Sequence, residues 1–464
     1  MAGLDIRGLL GAHEGQDYDL YGQAINPQFI KMLRTIGYDR VWSRAAGAYI
    51  FDTEGRRFLD MNGGFGMFNA GRNNPRIKQA LIHVLELDTP GSVQLGVSLL
   101  PGLLGRELLR RMPDRLEQVL FTSSGTEAVE AALKLGRAAA GRSRVLSASK
   151  GFHGLTLGSL SANGGAEWSE RFGPLLPDFE RVPWNDLDAL EAELKREDVA
   201  LFLVEPVQGK GVNLPAAGYL EGAQELCRTY GTYFALDEVQ TGFGRTGKMF
   251  ALEHWDLEPD IVTVSKSLSG GYVPVGACLM SREVYDNVFD SLEHAVSHGS
   301  TFAPNDLAMA AGLATLQELD DHGLVERSAR LGELLLERTQ PLAERYDVVR
   351  EVRGLGLFWA IEFQEPDGGS KTWRLIERAQ PGIFSQLIAV PLFSDHAILI
   401  QTAGHRMNVL KGIPPLTVTE ADVEYFASAL EQTLQRAQKI PVAMMRFALK
   451  AARAGRPKAP AAAR

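Results

Sequence analysis

An acid and an amine, Asp237 and Lys266, stand 29 residues apart, each closing a short run of β-branched and aromatic residues. The first run is Thr-Tyr-Phe-Ala-Leu over 232–236; the second is Ile-Val-Thr-Val-Ser over 261–265. Runs of this length and composition predict buried strands of a parallel sheet. In open α/β sheets, ligands bind beyond the carboxyl ends of the strands. Both side chains are therefore offered to one crevice. An amine placed there can form a Schiff base with a carbonyl. A carboxylate can hold a protonated ring nitrogen of a bound heterocycle. The same two residues would equally serve as an ordinary buried ion pair.

A cradle for an anion, added to that pair, is what pyridoxal phosphate requires. One candidate follows the short strand 118–121, where Ser123-Ser124-Gly125-Thr126-Glu127-Ala128 opens a helical run. A strand, a small-residue loop and a helix N-terminus present backbone N–H groups and the positive end of the macrodipole. A plain serine or threonine cap satisfies the same pattern. The stretch is neither a Walker loop nor GxGxxG, so it does not indicate a nucleotide. After strand 144–147, Phe152 and His153 sit on a glycine-bracketed loop. An aromatic there can stack on a flat ring; a core phenylalanine and a hydrogen-bonded histidine are the plainer alternative. The apolar run 200–204 ends in Glu205-Pro-Val-Gln-Gly-Lys210. The stretch 62–71, rich in glycine and asparagine and carrying Phe65, suits a loop that bends close to a ligand. Residues 242–247 match GxGxxG but not directly at a strand-to-helix turn, and are read as a loop.

Alternating strands and helices are needed to position these residues. They predict an α/β fold with a doubly wound, mostly parallel sheet. A hairpin is expected over 48–51 and 57–61. Helices are expected over 76–87, 99–111, 218–229, 305–320, 323–345 and 417–434. Further strands are expected over 276–280, 348–353, 356–362 and 398–401. The C-terminal third loses the alternation, which predicts a separate α+β domain. The expected division is an N-terminal arm with part of the small domain (1–75), a large domain (76–325), a small α+β domain (326–440) and a basic tail (441–464). The polar insertion 365–381 carries no reading of its own. The tail has six basic residues and no acidic one. It would contact an anionic surface or simply fray or cap its own domain.

The chain has 464 residues, 45% of them hydrophobic, and a formal net charge of −9. That supports a large core and argues against a general nucleic-acid binder. Two cysteines, Cys227 and Cys278, cannot form a disulfide framework. No apolar h-region opens the chain, and no stretch approaches the ~20 apolar residues of a membrane span. A cytoplasmic enzyme is expected. Nine scattered histidines lack metal spacing, and HExxH, CxxC pairs and GxSxG are absent, so no metal site is expected.

From residue 48 to residue 434, the motifs together resemble the class III aminotransferases, pyridoxal-phosphate enzymes of fold type I. The resemblance rests on Ser123-Ser-Gly-Thr-Glu-Ala, Gly151-Phe-His-Gly, Glu205-Pro-Val-Gln-Gly, Leu236-Asp-Glu-Val-Gln-Thr-Gly-Phe-Gly-Arg, Ser265-Lys-Ser-Leu, His298-Gly-Ser-Thr-Phe and Arg353-Gly-Leu-Gly-Leu. It implies a large domain with a seven-stranded sheet and a smaller α+β domain. It implies that Lys266 carries the cofactor and later moves the proton, while Asp237 keeps the ring nitrogen protonated. Gln240 would bond the ring hydroxyl, and Phe152 and Val239 would sandwich the ring. Ser124, Gly125 and Thr126 would hold the phosphate. His153 and Glu205 would line the cofactor site. Ser300 and Thr301 would complete the phosphate site of a partner subunit, making a homodimer. Arg353 would bind a substrate carboxylate, with Phe65 and Leu155 in the substrate site.

Two departures bear on substrate. Leu155 stands where several relatives carry an arginine. Lys210 stands where relatives commonly carry a glutamate that masks the Arg353 equivalent. The resemblance thus implies transfer between a 2-oxo acid and an amine lacking a distal carboxylate: an ω-amine, a diamine, or a long-chain or secondary-metabolite amine or aldehyde. An aminomutase, racemase or decarboxylase of the same fold, and an acetylornithine, ornithine or 4-aminobutyrate transaminase, are the alternatives.

Overall fold

The computed structural model describes residues 3–91, 95–165, 167–365, 382–404 and 407–438. The basic tail and nearly all of the polar insertion lie outside the described residues.

Three short helices, Ile6–Ala12, Asp17–Ala24 and Pro27–Ile36, form the N-terminal arm. The third shows how the sequence sets its ends. Asn26 caps the Phe29 N–H, Pro27 occupies the first turn, and Gly37 ends the helix at φ 76°. Strands β1 (Trp42–Ala46), β2 (Tyr49–Asp52) and β3 (Arg57–Asp60) follow as an antiparallel meander. The expected hairpin is β2–β3; β1 was not anticipated.

The central sheet is built from β4 (Leu116–Thr122), β5 (Arg144–Ala148), β6 (Phe179–Val182), β7 (Val199–Val204), β8 (Tyr233–Asp237), β9 (Ile261–Val264) and β10 (Gly276–Ser281). Their order is β4-β10-β9-β8-β7-β5-β6. β10 alone runs opposite to the other six strands. Helices cover both faces, so β7, β8, β9 and β10 are buried along their whole length. Phe202 on β7 and Phe234 on β8 stack at 6.3 Å inside this layer. Burying a side chain of that size contributes about 1.5–3 kcal/mol.

A second four-stranded sheet contains β11 (Val349–Leu355), β12 (Phe358–Phe363), β14 (Gln401–Ala403) and β15 (Val409–Gly412), all antiparallel. The strand expected over 398–401 is in fact two. Residues Ile398–Leu399 form β13, which pairs parallel with β3; Gln401 then begins β14 in the other sheet. The helix expected over 323–345 is interrupted, because Pro341 has no N–H to continue the ladder. It becomes Leu324–Thr339 and Leu342–Arg345. Short helices at Leu157–Ala162, Leu187–Leu194 and Arg282–Val288, a longer one at Ile383–Ser394, and strands β6 and β15 were not anticipated.

Candidate active site

Five parallel strands deliver their carboxyl ends to one crevice. Asp237 is the last residue of β8, and Ser265 and Lys266 follow β9. Register places Asp237 opposite Thr263, three residues before the lysine. Loops after β4, β5 and β7 bring Ser124, His153 and Glu205. The crevice therefore follows from the topology, as expected at the open end of a parallel sheet.

Asp237 is held from two sides. His153 Nδ1 lies 2.8 Å from Oδ2, while Val239 N–H and the Thr263 hydroxyl reach Oδ1 at 3.1 and 3.3 Å. His153 is buried, and its own N–H donates to Asn163 Oδ1. It therefore belongs to the acid rather than standing open as a ring-binding group. Its Nε2 is a buried atom with no hydrogen-bond partner. Burial disfavours the charged imidazole, but Asp237 and then Glu205 favour it, and its pKa is raised overall.

Glu205 is buried, accepting the N–H groups of Phe152 at 2.9 Å and Gly209 at 2.8 Å. Burial pushes its pKa up to about 6, although His153 pulls it down. Lys266 stands partly open to the crevice at φ 40°. That left-handed conformation is uncommon for a side-chain-bearing residue. Burial lowers its pKa, opposed by Asp237 and Glu205. A lowered amine pKa favours the neutral, nucleophilic form.

Ser124 caps the helix Gly125–Ala140 by accepting the Glu127 N–H, and Glu127 reaches back to the Ser123 N–H at 2.7 Å. The Gly125 and Thr126 N–H groups fall in the first turn, where an α-helix offers no carbonyl. A Cβ on Gly125 would meet Val239 Cγ1 at 2.9 Å and Ser265 Cβ at 3.2 Å. The helix end is therefore pressed against both Val239 and the residue preceding the lysine. The Thr126 hydroxyl is occupied by Thr156 and Ser159, each at 2.7 Å, leaving its backbone for an anion. Ser300 Oγ lies 3.1 Å from Ser123 Oγ within the one chain, and Thr301 is exposed.

Gln240 is fixed at both ends. Its Nε2 donates to the Phe65 carbonyl at 2.9 Å, and its Oε1 accepts from Lys411 Nζ at 3.3 Å. Phe65 is exposed, on a turn at φ 60° between glycines. Phe152 packs edge-on against Trp168 at 5.6 Å, and Leu155 is exposed.

Arg353 is placed differently from the expectation. It is buried, and all five guanidinium N–H donors have acceptors inside the chain. Nε donates to Val212 O; Nη1 donates to Glu351 and Glu362; Nη2 donates to Gly211 O and Asn213 Oδ1. In this conformation no donor is left for a substrate carboxylate. The carboxylates that neutralise it are Glu351 and Glu362, so the identity of residue 210 does not govern its masking. Lys210 instead pairs with Glu167.

Sequence reasoning passed over Lys411. Its amine is buried and donates to Gly209 O at 2.9 Å as well as to Gln240. Burial, then the neighbouring Lys266, push its pKa down to about 7. The GxGxxG stretch is a turn, and Arg245 within it is buried, donating to the carbonyls of Leu357 and Pro414. Among the described residues, no group of three or more histidine, cysteine, aspartate or glutamate side chains could hold a metal.

Residues 35–434 match the family model for class III aminotransferases. The chain belongs to that family. It is 34% identical over 445 residues to Aminotransferase PigE of Serratia sp. (strain ATCC 39006), covering 89% of this chain and 52% of the relative. It thus spans about half the length of that curated relative. Ornithine aminotransferase from Toxoplasma gondii ME49 superposes with a TM-score of 0.80 at 28% identity, over 94% of this chain and 100% of the other. An amine transaminase from an uncultivated Pseudomonas species, solved in its PLP-bound form, gives 0.76 at 32% identity, over 86% and 95%.

The residues present fit pyridoxal phosphate. A helix N-terminus without room for a Cβ, an amine of lowered pKa and a histidine-backed carboxylate surround the one crevice.

Proposed function

We propose that this chain moves an amino group between an amine and a 2-oxo acid such as 2-oxoglutarate or pyruvate, in two half-reactions at one site, with pyridoxal 5'-phosphate as cofactor. The observation that carries the reading is Lys266, held at the end of β9 with its pKa lowered, in the crevice shared with Asp237. Bound, the cofactor supplies an electron sink for the pair left when the substrate C–H bond breaks. Lys266 Nζ binds the cofactor between turnovers and carries the proton during them. Asp237 holds a proton at the ring nitrogen. Gly125 and Thr126 N–H groups take the phosphate, Gln240 the ring oxygen, and Phe152 and Val239 the ring faces. Glu205 orders the Phe152 and Gly209 backbone.

For the amine we propose an ω-amine, a diamine, or a long-chain or secondary-metabolite amine or aldehyde. Exposed Leu155, Leu157 and Trp168 support an apolar approach. The family matches favour transfer over an aminomutase, racemase or decarboxylase. Amine added alone should convert the cofactor's aldehyde absorbance to the amine form, with one equivalent of carbonyl product. Release of carbon dioxide instead would overturn the reading. A donor panel spanning putrescine, aliphatic amines, ornithine and 4-aminobutyrate decides the substrate class.

We also propose a homodimer. Leu95, Val97, Leu292 and Val296 are each at least 90% exposed in the single chain. A dimer would cover side chains so fully exposed, and 292 and 296 lead in sequence towards Ser300 and Thr301, which would reach the partner's phosphate site. Sedimentation velocity tests this. Among the described residues no helix is long and apolar enough to cross a membrane. A cytoplasmic location is part of the same proposal.

A further inference from the structure

We infer that Lys210 is the carboxylate subsite for the oxo-acid substrate and that Glu167 is its displaceable cover. The inference deepens the transaminase reading and rests on it for the identity of the acid.

Lys210 forms an ion pair with Glu167, and its Nζ lies 5.5 Å from the centre of the Trp168 ring. The lysine side chain is 13% exposed and the glutamate 35%. The amine is thus mostly covered, and what covers it is the more open of the two. Chain neighbours of the pair reach the crevice from two sides. Trp168, next to Glu167, packs against Phe152, whose neighbour His153 reaches Asp237. Gly209, next to Lys210, donates its N–H to Glu205 and accepts from Lys411 through its carbonyl.

Apart from Lys266, which this reading gives to the cofactor, three described cations near the crevice are committed to the fold. Arg353 spends five donors on internal acceptors. Arg245 is buried among backbone carbonyls. Lys411 is buried, donating to Gly209 O and Gln240. Lys210 differs because its charge is met by a partly open side chain. Its partner carboxylate keeps part of its surface in solvent, so the pair can open without stranding a fully buried charge. A substrate carboxylate of similar basicity can therefore replace Glu167 with little change in total energy. When an amine without a carboxylate enters, the Glu167–Lys210 pair stays closed and no bare cation repels it. One site thereby accepts an anionic acid and a cationic amine in turn.

The test uses the pyridoxal-phosphate-loaded enzyme. Calorimetry would measure binding of glutarate, a dicarboxylate that cannot react, beside steady-state kinetics with 2-oxoglutarate and an amine. Lys210→Met should weaken glutarate several-fold, because the acid then meets Glu167 with no cation between them, and Lys210→Arg should restore it. Glu167→Gln should tighten glutarate by several-fold, on the order of the same pair energy. KM for 2-oxoglutarate should follow both changes, and the amine should respond at least several-fold less. Glutarate affinity within about twofold of wild type in both variants would sink the subsite, as would equal shifts for acid and amine. Amine-driven conversion of the cofactor is read separately. Wild-type enzyme that fails it while binding glutarate through Lys210 loses the transaminase reading and keeps the subsite; the converse loses only the subsite.

Discussion

His153 Nδ1 lies 2.8 Å from Asp237 Oδ2, joining the loop after β5 to the end of β8 inside the sheet's crevice. Together with Val239 N–H and the Thr263 hydroxyl, the imidazole leaves the carboxylate one orientation. Its raised pKa follows from the neighbouring Asp237 and Glu205 outweighing burial. His153→Leu removes that partner while keeping an apolar side chain in the space. Partners that orient a functional group in this way typically contribute about 10–100-fold. The variant should lose that much in kcat/KM, with cofactor still bound by absorbance, and its pH–rate profile should shift. An unchanged profile would show that the contact is merely packing.

Lys266 should behave as the attachment point. Burial lowers its pKa, so near neutrality the neutral amine is more populated than for an exposed lysine. That form attacks an aldehyde. Lys266→Ala should abolish turnover and the absorbance of the lysine-bound cofactor. Borohydride reduction should fix the cofactor to wild-type protein and to no residue of the variant. Measurable turnover in Lys266→Ala would remove the residue from the chemistry.

The candidate residues whose placement the sequence predicted lie at strand ends or just past them. There, a buried apolar run followed by one polar residue fixes both the element and where its last side chain goes. Asp237 closes β8 in this way, and Lys266 and the Ser124 cap each stand two residues past a strand. What failed was information that a local pattern does not hold. Lys411 sits in the four-residue strand β15 and looks like a solvent-facing lysine, yet its acceptor Gly209 is 202 residues earlier. Arg353, at the end of the strand expected over 348–353 and inside β11 as observed, looks the same in sequence whether it faces a ligand or five internal acceptors. Residues 398–401 read as one strand because nothing in the apolar pattern records a change of sheet after Leu399. The short helices Leu157–Ala162 and Arg282–Val288 have too few turns for their periodicity to stand out.

Arg353 should prove structural. Removing one partner of a buried charge cluster typically costs about 3–5 kcal/mol, because the remaining charges are left unpaired. Glu351 is half exposed, which softens its share, but Glu362 is mostly covered. Arg353→Ala should lower Tm markedly, and Arg353→Lys should recover only part, since one ammonium offers three donors where five are used. Both variants should change KM for the oxo acid and for the amine by similar factors. A selective rise for the oxo acid, with Tm preserved, would return this arginine to the substrate site.

Lys411 gives stability a pH dependence whose sign is fixed. Its pKa falls from the ordinary 10.5 to about 7, chiefly through burial and then through Lys266. Between those values the unfolded chain binds the proton more tightly than the folded one, so stability rises with pH across the window. Below about pH 7 both states are protonated and the full penalty of the buried charge is present. Lys411→Met carries no such proton. Methionine also forfeits the bonds to Gly209 and Gln240, a loss nearly independent of pH. The stability of the variant relative to wild type should therefore be greatest near pH 7 and fall toward pH 10, by roughly 1–4 °C in Tm. Calorimetric melts of both proteins from pH 6 to 10 measure that difference directly. A constant offset across the range would mean that the Lys411 amine keeps its ordinary affinity for the proton in the folded protein.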